Sequence, residues 1–140
     1  MAVFYADTSA LVKLVREEAE SSALRAYFAD ADLVSSELVL AELPRAVRRA
    51  VADDPALPLD LLLDRAGELI DALALRPADQ ALLAGAGALT EPALRALDAI
   101  HVASAAGLGP FEAFVTYDER QAAAARLAGL RTVAPGAATR

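Results

Sequence analysis

The chain has 140 residues, no cysteine and a formal net charge of −7. Its length suits one domain over residues 1–140, the lack of thiols excludes disulfides and thiolate metal sites, and the acidic balance counts against a broad basic nucleic-acid footprint. A hydrophobic fraction of 56%, much of it Ala and Leu, points to a folded, helix-rich protein.

The elements follow in chain order. Val3–Ala6 is a short apolar run ending at Asp7 and reads as a strand, without the basic region and long apolar stretch of a signal peptide. A helix is expected from Thr8 to about Val15. A second runs over Ala19–Ala29, with Leu24 and Phe28 one turn apart. Asp32–Ser35 is the second strand, and Ser36 to about Ala52 a long helix opened by serines suited to N-capping. Asp53–Pro58 is a turn-rich break. Leu59–Ala72 is helical, Leu73–Arg76 a strand, and Pro77 opens a helix that fades in Gly85–Gly87. Pro92 to about Ala106 is a strongly apolar helix ended by Gly107–Pro110. Ala113–Thr116 is a strand, Glu119–Ala128 a helix and Arg131–Ala134 the last strand. Residues 135–140 are expected to be a frayed tail. Strands alternating with helices predict an α/β fold, a parallel sheet covered by helices on both faces.

No segment reaches the roughly 18 uninterrupted apolar residues of a membrane helix, and the absence of cysteine fits a cytoplasmic location. His101 is the only histidine, which is too few for a multi-histidine zinc site.

Four carboxylates stand out, each with a competing structural role. Asp7 closes the first strand. It suits an N-cap, yet ligands of open α/β sheets bind at the carboxyl ends of strands. Asp118 repeats that placement after Tyr117, and with Gln121 three residues on it resembles a capping box. Asp98 falls on a helical face with Leu94, Leu97, His101, Ala105 and Leu108. A carboxylate inside an apolar stripe calls for a cation or a hydrogen bond, such as one to His101. Glu42 flanks the apolar face of Val39, Leu43, Val47 and Ala50, where an ion pair with Arg45 is the alternative to a place in a cleft. His101 itself reads as a core or supporting histidine. Arg45, Arg48 and Arg49 sit near the edge of the Glu42 helix, placed either to meet phosphates or simply to solvate it.

Several carboxylates without thiols suit hard cations, Mg²⁺ or Mn²⁺, which take oxygen ligands. The chemistry that matches is phosphodiester hydrolysis, in which one or two ions acidify a water and steady the phosphate. Such ions also let an acidic protein bind a polyanion at one point.

The local sequences narrow this. Tyr5-Ala-Asp-Thr-Ser-Ala-Leu-Val-Lys-Leu14 resembles the opening motif of PIN-domain proteins, in particular the VapC-type toxins of bacterial toxin–antitoxin pairs. Ser36–Glu42, Leu97–Ala105 and Phe114–Gln121 resemble the second, third and fourth motifs, in the family's order. The resemblance implies a PIN fold and Mg²⁺- or Mn²⁺-dependent cleavage of RNA. Asp7 and Asp98 would be the principal metal ligands, Glu42 and Asp118 would act directly or through water, and Ser9 and Thr116 would support the acids by hydrogen bonds. It also implies a homodimer and a cognate antitoxin.

Two rival classes deserve comparison. A catalytically silent PIN-like module that binds a partner would keep the fold without the chemistry. A phosphoacceptor receiver domain would need a lysine near a late strand, and the only lysine is Lys13, on the first helix.

Overall fold

A computed structural model describes residues 1–138; residues 139 and 140, the end of the expected tail, lie outside the described residues. Twelve elements follow one another: β1 (Val3–Ala6), α1 (Thr8–Val15), α2 (Ser21–Tyr27), β2 (Asp32–Ser36), α3 (Val39–Asp53), α4 (Leu59–Ala72), β3 (Ala74–Arg76), α5 (Gln80–Gly87), α6 (Ala96–Ala106), β4 (Ala113–Val115), α7 (Glu119–Leu127) and β5 (Thr132–Val133). The strands form one parallel sheet in the order β3-β2-β1-β4-β5.

Alternation along the strands sorts the core into two layers. Phe4, Ala6, Ala113 and Val115 face α1 to α4, where Leu11, Leu24 and Leu43 are fully buried. Tyr5 and Phe114 point the other way, against Val102 and Ala105 of α6 and Ala124 and Ala125 of α7. Their rings stack with centroids 5.1 Å apart. Helices thus cover both faces, as the alternation of elements predicts.

Several element ends differ from expectation, among them α5, which starts at Gln80 and not at Pro77 because Asp79 takes the N-cap. The strand at 32 runs on through Ser36, and α3 begins only at Val39. Ser36 therefore does not cap the helix; its Oγ accepts the Leu38 amide at 3.1 Å in the intervening turn. The helix expected from Pro92 starts at Ala96, because residues 92–93 form a turn and Arg95 takes the extended N-cap position. This moves Asp98 from mid-helix into the first turn of α6. α7 closes as a Schellman turn: Gly129 takes φ +85°, and the Leu130 amide reaches back to the Ala125 carbonyl at 2.9 Å. The expected frayed tail is anchored where it begins. Tyr117 Oη donates to the Pro135 carbonyl at 2.8 Å, and Gly136, at φ +78°, packs so closely on α2 that a Cβ there would lie 2.8 Å from that of Ala23.

The sheet order places the site. From β1 the chain builds outwards to β2 and β3, then returns to add β4 and β5 on the other side. The crevice of such a sheet opens at the carboxyl ends of the two strands where the direction reverses, here β1 and β4.

Candidate active site

Asp7 follows β1 directly and is 2% exposed. Its amide continues the β1–β4 ladder, donating to the Val115 carbonyl at 3.2 Å. Its carboxylate caps α1, with Oδ1 accepting the Ala10 amide at 3.1 Å and the Ser9 hydroxyl at 2.6 Å. Oδ2 accepts the Thr116 hydroxyl at 2.5 Å. Burial pushes the Asp7 pKa up, against hydrogen bonds from Ser9, Thr116 and Ala10 that favour the anion. The N-cap expected of this residue forms, at the carboxyl end of β1.

Thr116 and Ser9 join the two strand ends. Thr116 Oγ1 accepts the Asp118 amide at 3.1 Å, and Ser9 Oγ accepts the Tyr117 amide at 2.9 Å. Asp118 in turn caps α7: its Oδ1 accepts the amides of Arg120 at 2.9 Å and Gln121 at 3.1 Å. The other half of a capping box does not form, since the Asp118 amide is already bonded to Thr116. The second oxygen of Asp118 carries no hydrogen bond among the described residues.

Glu42 reaches the same crevice from the first turn of α3. It is not paired with Arg45. Its Oε1 accepts both the Thr8 hydroxyl at 2.9 Å and His101 Nε2 at 2.7 Å, leaving Oε2 without a hydrogen bond among the described residues. Burial works against its ionisation, yet His101, Thr8 and nearby Arg49 together hold its pKa below the ordinary glutamate value.

Asp98 differs from the apolar-stripe expectation. Leu97 beside it is half exposed, and Asp98 is only partly buried. The predicted bond to His101 is absent, because both ring nitrogens of that buried histidine have other partners, Tyr5 and Glu42. Asp98 has no hydrogen bond among the described residues. Its pKa is raised, first by burial and next by the negative charge of Asp118, with Glu42 adding to the effect. Asp98 thus lies within reach of the negative charges of Asp118 and Glu42. The start of a helix tempers the repulsion, since the amide ends there favour anions.

The donor set fits a hard cation. It is all oxygen, with both oxygens of Asp98 and one each of Glu42 and Asp118 uncommitted, and a cation would relieve the repulsion around Asp98. Among the described residues no three His, Asp or Glu side chains stand together as a group that could by itself hold a metal ion. Mg²⁺ is commonly held by one or two carboxylates plus water and substrate phosphate. The sequence pairs His101 with Asp98 and not with Glu42, its actual partner, and assigns neither Tyr5 nor Thr8 to an acid. The available signal was a tyrosine and a histidine on buried faces, each of which must find a partner for its polar atoms.

Two clefts flank the acids. One, about 470 Å³, lies between α1 and α3 and is lined by Thr8, Glu42, Arg45, Arg49 and Leu97. The other, about 630 Å³, follows Thr116 and Asp118 along β5 to Arg126 and Thr132. Lys13 serves neither. It pairs with Glu18 at 2.6 Å and Glu20 at 3.0 Å and lies over the Tyr117 ring, which removes the lysine a receiver domain would require.

Comparison with known proteins agrees with this arrangement. The PIN domain family matches residues 4–127. Ribonuclease VapC35 of Mycobacterium tuberculosis (strain ATCC 25618 / H37Rv) is 42% identical over 144 residues, covering 97% of this chain and 99% of that protein. Ribonuclease VapC46 of the same strain is 38% identical over 148 residues, with 96% and 99% covered. Ribonuclease VapC47 of strain CDC 1551 / Oshkosh is 36% identical over 141 residues, with 96% and 98% covered. With its parallel sheet, its acids gathered at the β1–β4 crevice and these matches along nearly its whole length, the chain belongs to the PIN domain family.

Proposed function

We propose that this protein is a Mg²⁺- or Mn²⁺-dependent endoribonuclease whose centre is formed by Asp7, Glu42, Asp98 and Asp118. The observation that carries the proposal is Asp98: a partly buried carboxylate with no hydrogen bond, raised in pKa by burial and by Asp118. Together with Asp7 it is the principal ligand, while Glu42 and Asp118 contribute directly or through water. When bound, the cation polarises the phosphate and makes the attacking water more acidic.

The chain's own residues then have separate tasks. Asp7 is fixed by Ser9, Thr116 and the Ala10 amide, so its orientation does not depend on a ligand. Asp118 is fixed by the first amides of α7. Glu42 offers its free oxygen to accept a hydrogen bond from a water. Arg45 and Arg49, lining the groove beside Glu42, supply positive charge for RNA phosphates on an otherwise acidic protein. The single-domain reading of residues 1–140 belongs to the same proposal.

We further infer that it is the toxin of a type II toxin–antitoxin pair, a cytoplasmic homodimer held inactive by a cognate antitoxin. The ordered motifs and the named relatives support this. No helix among the described residues is long and apolar enough to cross a membrane. The test is incubation of purified protein with single-stranded RNA in Mg²⁺, Mn²⁺ or EDTA. Internal cuts with either metal and none in EDTA are expected. An uncut substrate under every condition would favour the silent partner-binding module instead.

A further inference from the structure

Burying a histidine and a tyrosine together requires a defined placement of every proton. His101 is 2% exposed and Tyr5 fully buried. Tyr5 Oη lies 2.8 Å from His101 Nδ1, and His101 Nε2 lies 2.7 Å from Glu42 Oε1. The chain of contacts runs from the central strand β1 through α6 to α3 and ends on α1, where Thr8 donates to the same Glu42 oxygen.

The protons follow from the neighbours. The Glu42 carboxylate only accepts, so Nε2 carries a hydrogen. A donor facing Nδ1 favours that same tautomer. Ser35 Oγ donates to the Ala6 carbonyl at 2.6 Å and Ser104 Oγ to the Ile100 carbonyl at 2.7 Å, so both nearby serine protons are committed. The Tyr5 hydroxyl, 2.8 Å from Nδ1, is the group placed to donate there. Phe114 stacked on the Tyr5 ring keeps that hydroxyl from swinging away.

We propose that Tyr5 and His101 are positioning residues for Glu42. Tyr5 selects the Nε2–H tautomer of His101, and that N–H together with Thr8 pins Oε1, so that Oε2 is the oxygen Glu42 offers to the centre. Neither residue touches a reacting atom. The inference rests on the reading of Glu42 as part of the metal centre. Groups that fix a metal-binding carboxylate typically change metal affinity about 10- to 100-fold when removed.

Because His101 is the only histidine, ring-nitrogen NMR of the metal-free protein reports on it without assignment. The wild type is expected to show the Nε2–H tautomer alone, and Tyr5→Phe a mixture. Mn²⁺ affinity by calorimetry gives the second readout. His101→Leu should bind Mn²⁺ about 10-fold more weakly or worse, and His101→Gln, which keeps an N–H near the Nε2 position, should recover most of the loss. In a Glu42→Gln background, His101→Leu should change affinity less than about twofold, since the carboxylate it holds is gone. Wild-type affinity in His101→Leu, alongside lost binding in Asp98→Asn, would overturn the positioning role and leave the metal centre standing. Absence of Mn²⁺ binding by the wild type would remove the centre itself. If His101→Leu fails to fold, Tyr5→Phe decides: an unchanged tautomer with unchanged affinity overturns the proposal.

Discussion

Replacing Thr116 by valine keeps the shape of a side chain that is 2% exposed and removes only its hydroxyl. Three contacts go with it. The bond to Asp7 Oδ2 at 2.5 Å is lost, the Asp118 amide at 3.1 Å is left without its acceptor, and the 3.3 Å contact with Ser9 disappears. A hydrogen bond to a charged group contributes about 2 kcal/mol, and a stranded, partly buried amide costs about 1 kcal/mol more. The sum, about 3 kcal/mol, is a large share of the 5–15 kcal/mol by which domains are typically stable. For a chain of this length it corresponds to a thermal midpoint lower by about 10 °C. Differential scanning calorimetry of the metal-free protein at neutral pH measures this directly. RNA cleavage should fall as well, because the substitution loosens Asp7 and Asp118 together. A midpoint within about 2 °C of wild type would refute the reasoning, since it would mean that the Asp7–Thr116–Asp118 link contributes no more than an ordinary surface substitution.

The remaining predictions concern charge. Asp98→Asn should abolish cleavage yet raise the thermal midpoint of the metal-free protein by a few degrees at neutral pH, because it removes a carboxylate disfavoured by burial and by Asp118; a lowered midpoint would contradict the repulsion. Asp7 and Asp98 both have pKa values above the ordinary 3.8, so over the window starting there the native state holds more protons than the unfolded one. Stability of the metal-free protein should therefore fall as pH rises through that window, and saturating Mn²⁺ should flatten or reverse the slope, as urea titrations across the acid range would show. Arg45→Ala and Arg49→Ala should each weaken RNA binding and reduce the dependence of log affinity on log salt by about 0.7, the share of one phosphate contact on a single strand; filter binding at several salt concentrations measures it.

Some of this was legible in the sequence for definite reasons. The run Val3–Ala6 and the break at Asp7 mark a strand and its end, because a short apolar segment followed by a capping acid has few other uses. The break over Asp53–Pro58 likewise fixes the start of α4 at Leu59. The helix at Pro92 was placed four residues early because Ala93 and Leu94 continue the apolar pattern, although they belong to a turn before Arg95. That same extension made Asp98 look embedded in an apolar stripe, whereas Leu97 next to it is 50% exposed. Sheet order could not be read from local pattern, since Ala6 pairs with Val115 across most of the chain. At the site, the acids were marked by their motifs, but their partners were not. Glu42 chooses His101 over its near neighbour Arg45 because tertiary packing brings a buried donor to it that has no access to water.

The most direct measurement is the position of Mn²⁺ in crystals soaked with the ion, located by its anomalous scattering. Mn²⁺ in the β1–β4 crevice, contacting Asp7 or Asp98 with Glu42 and Asp118 around it, is the predicted result. Mn²⁺ bound only elsewhere, in crystals of protein that still cleaves RNA with that metal, would contradict the assignment of these four acids as the centre.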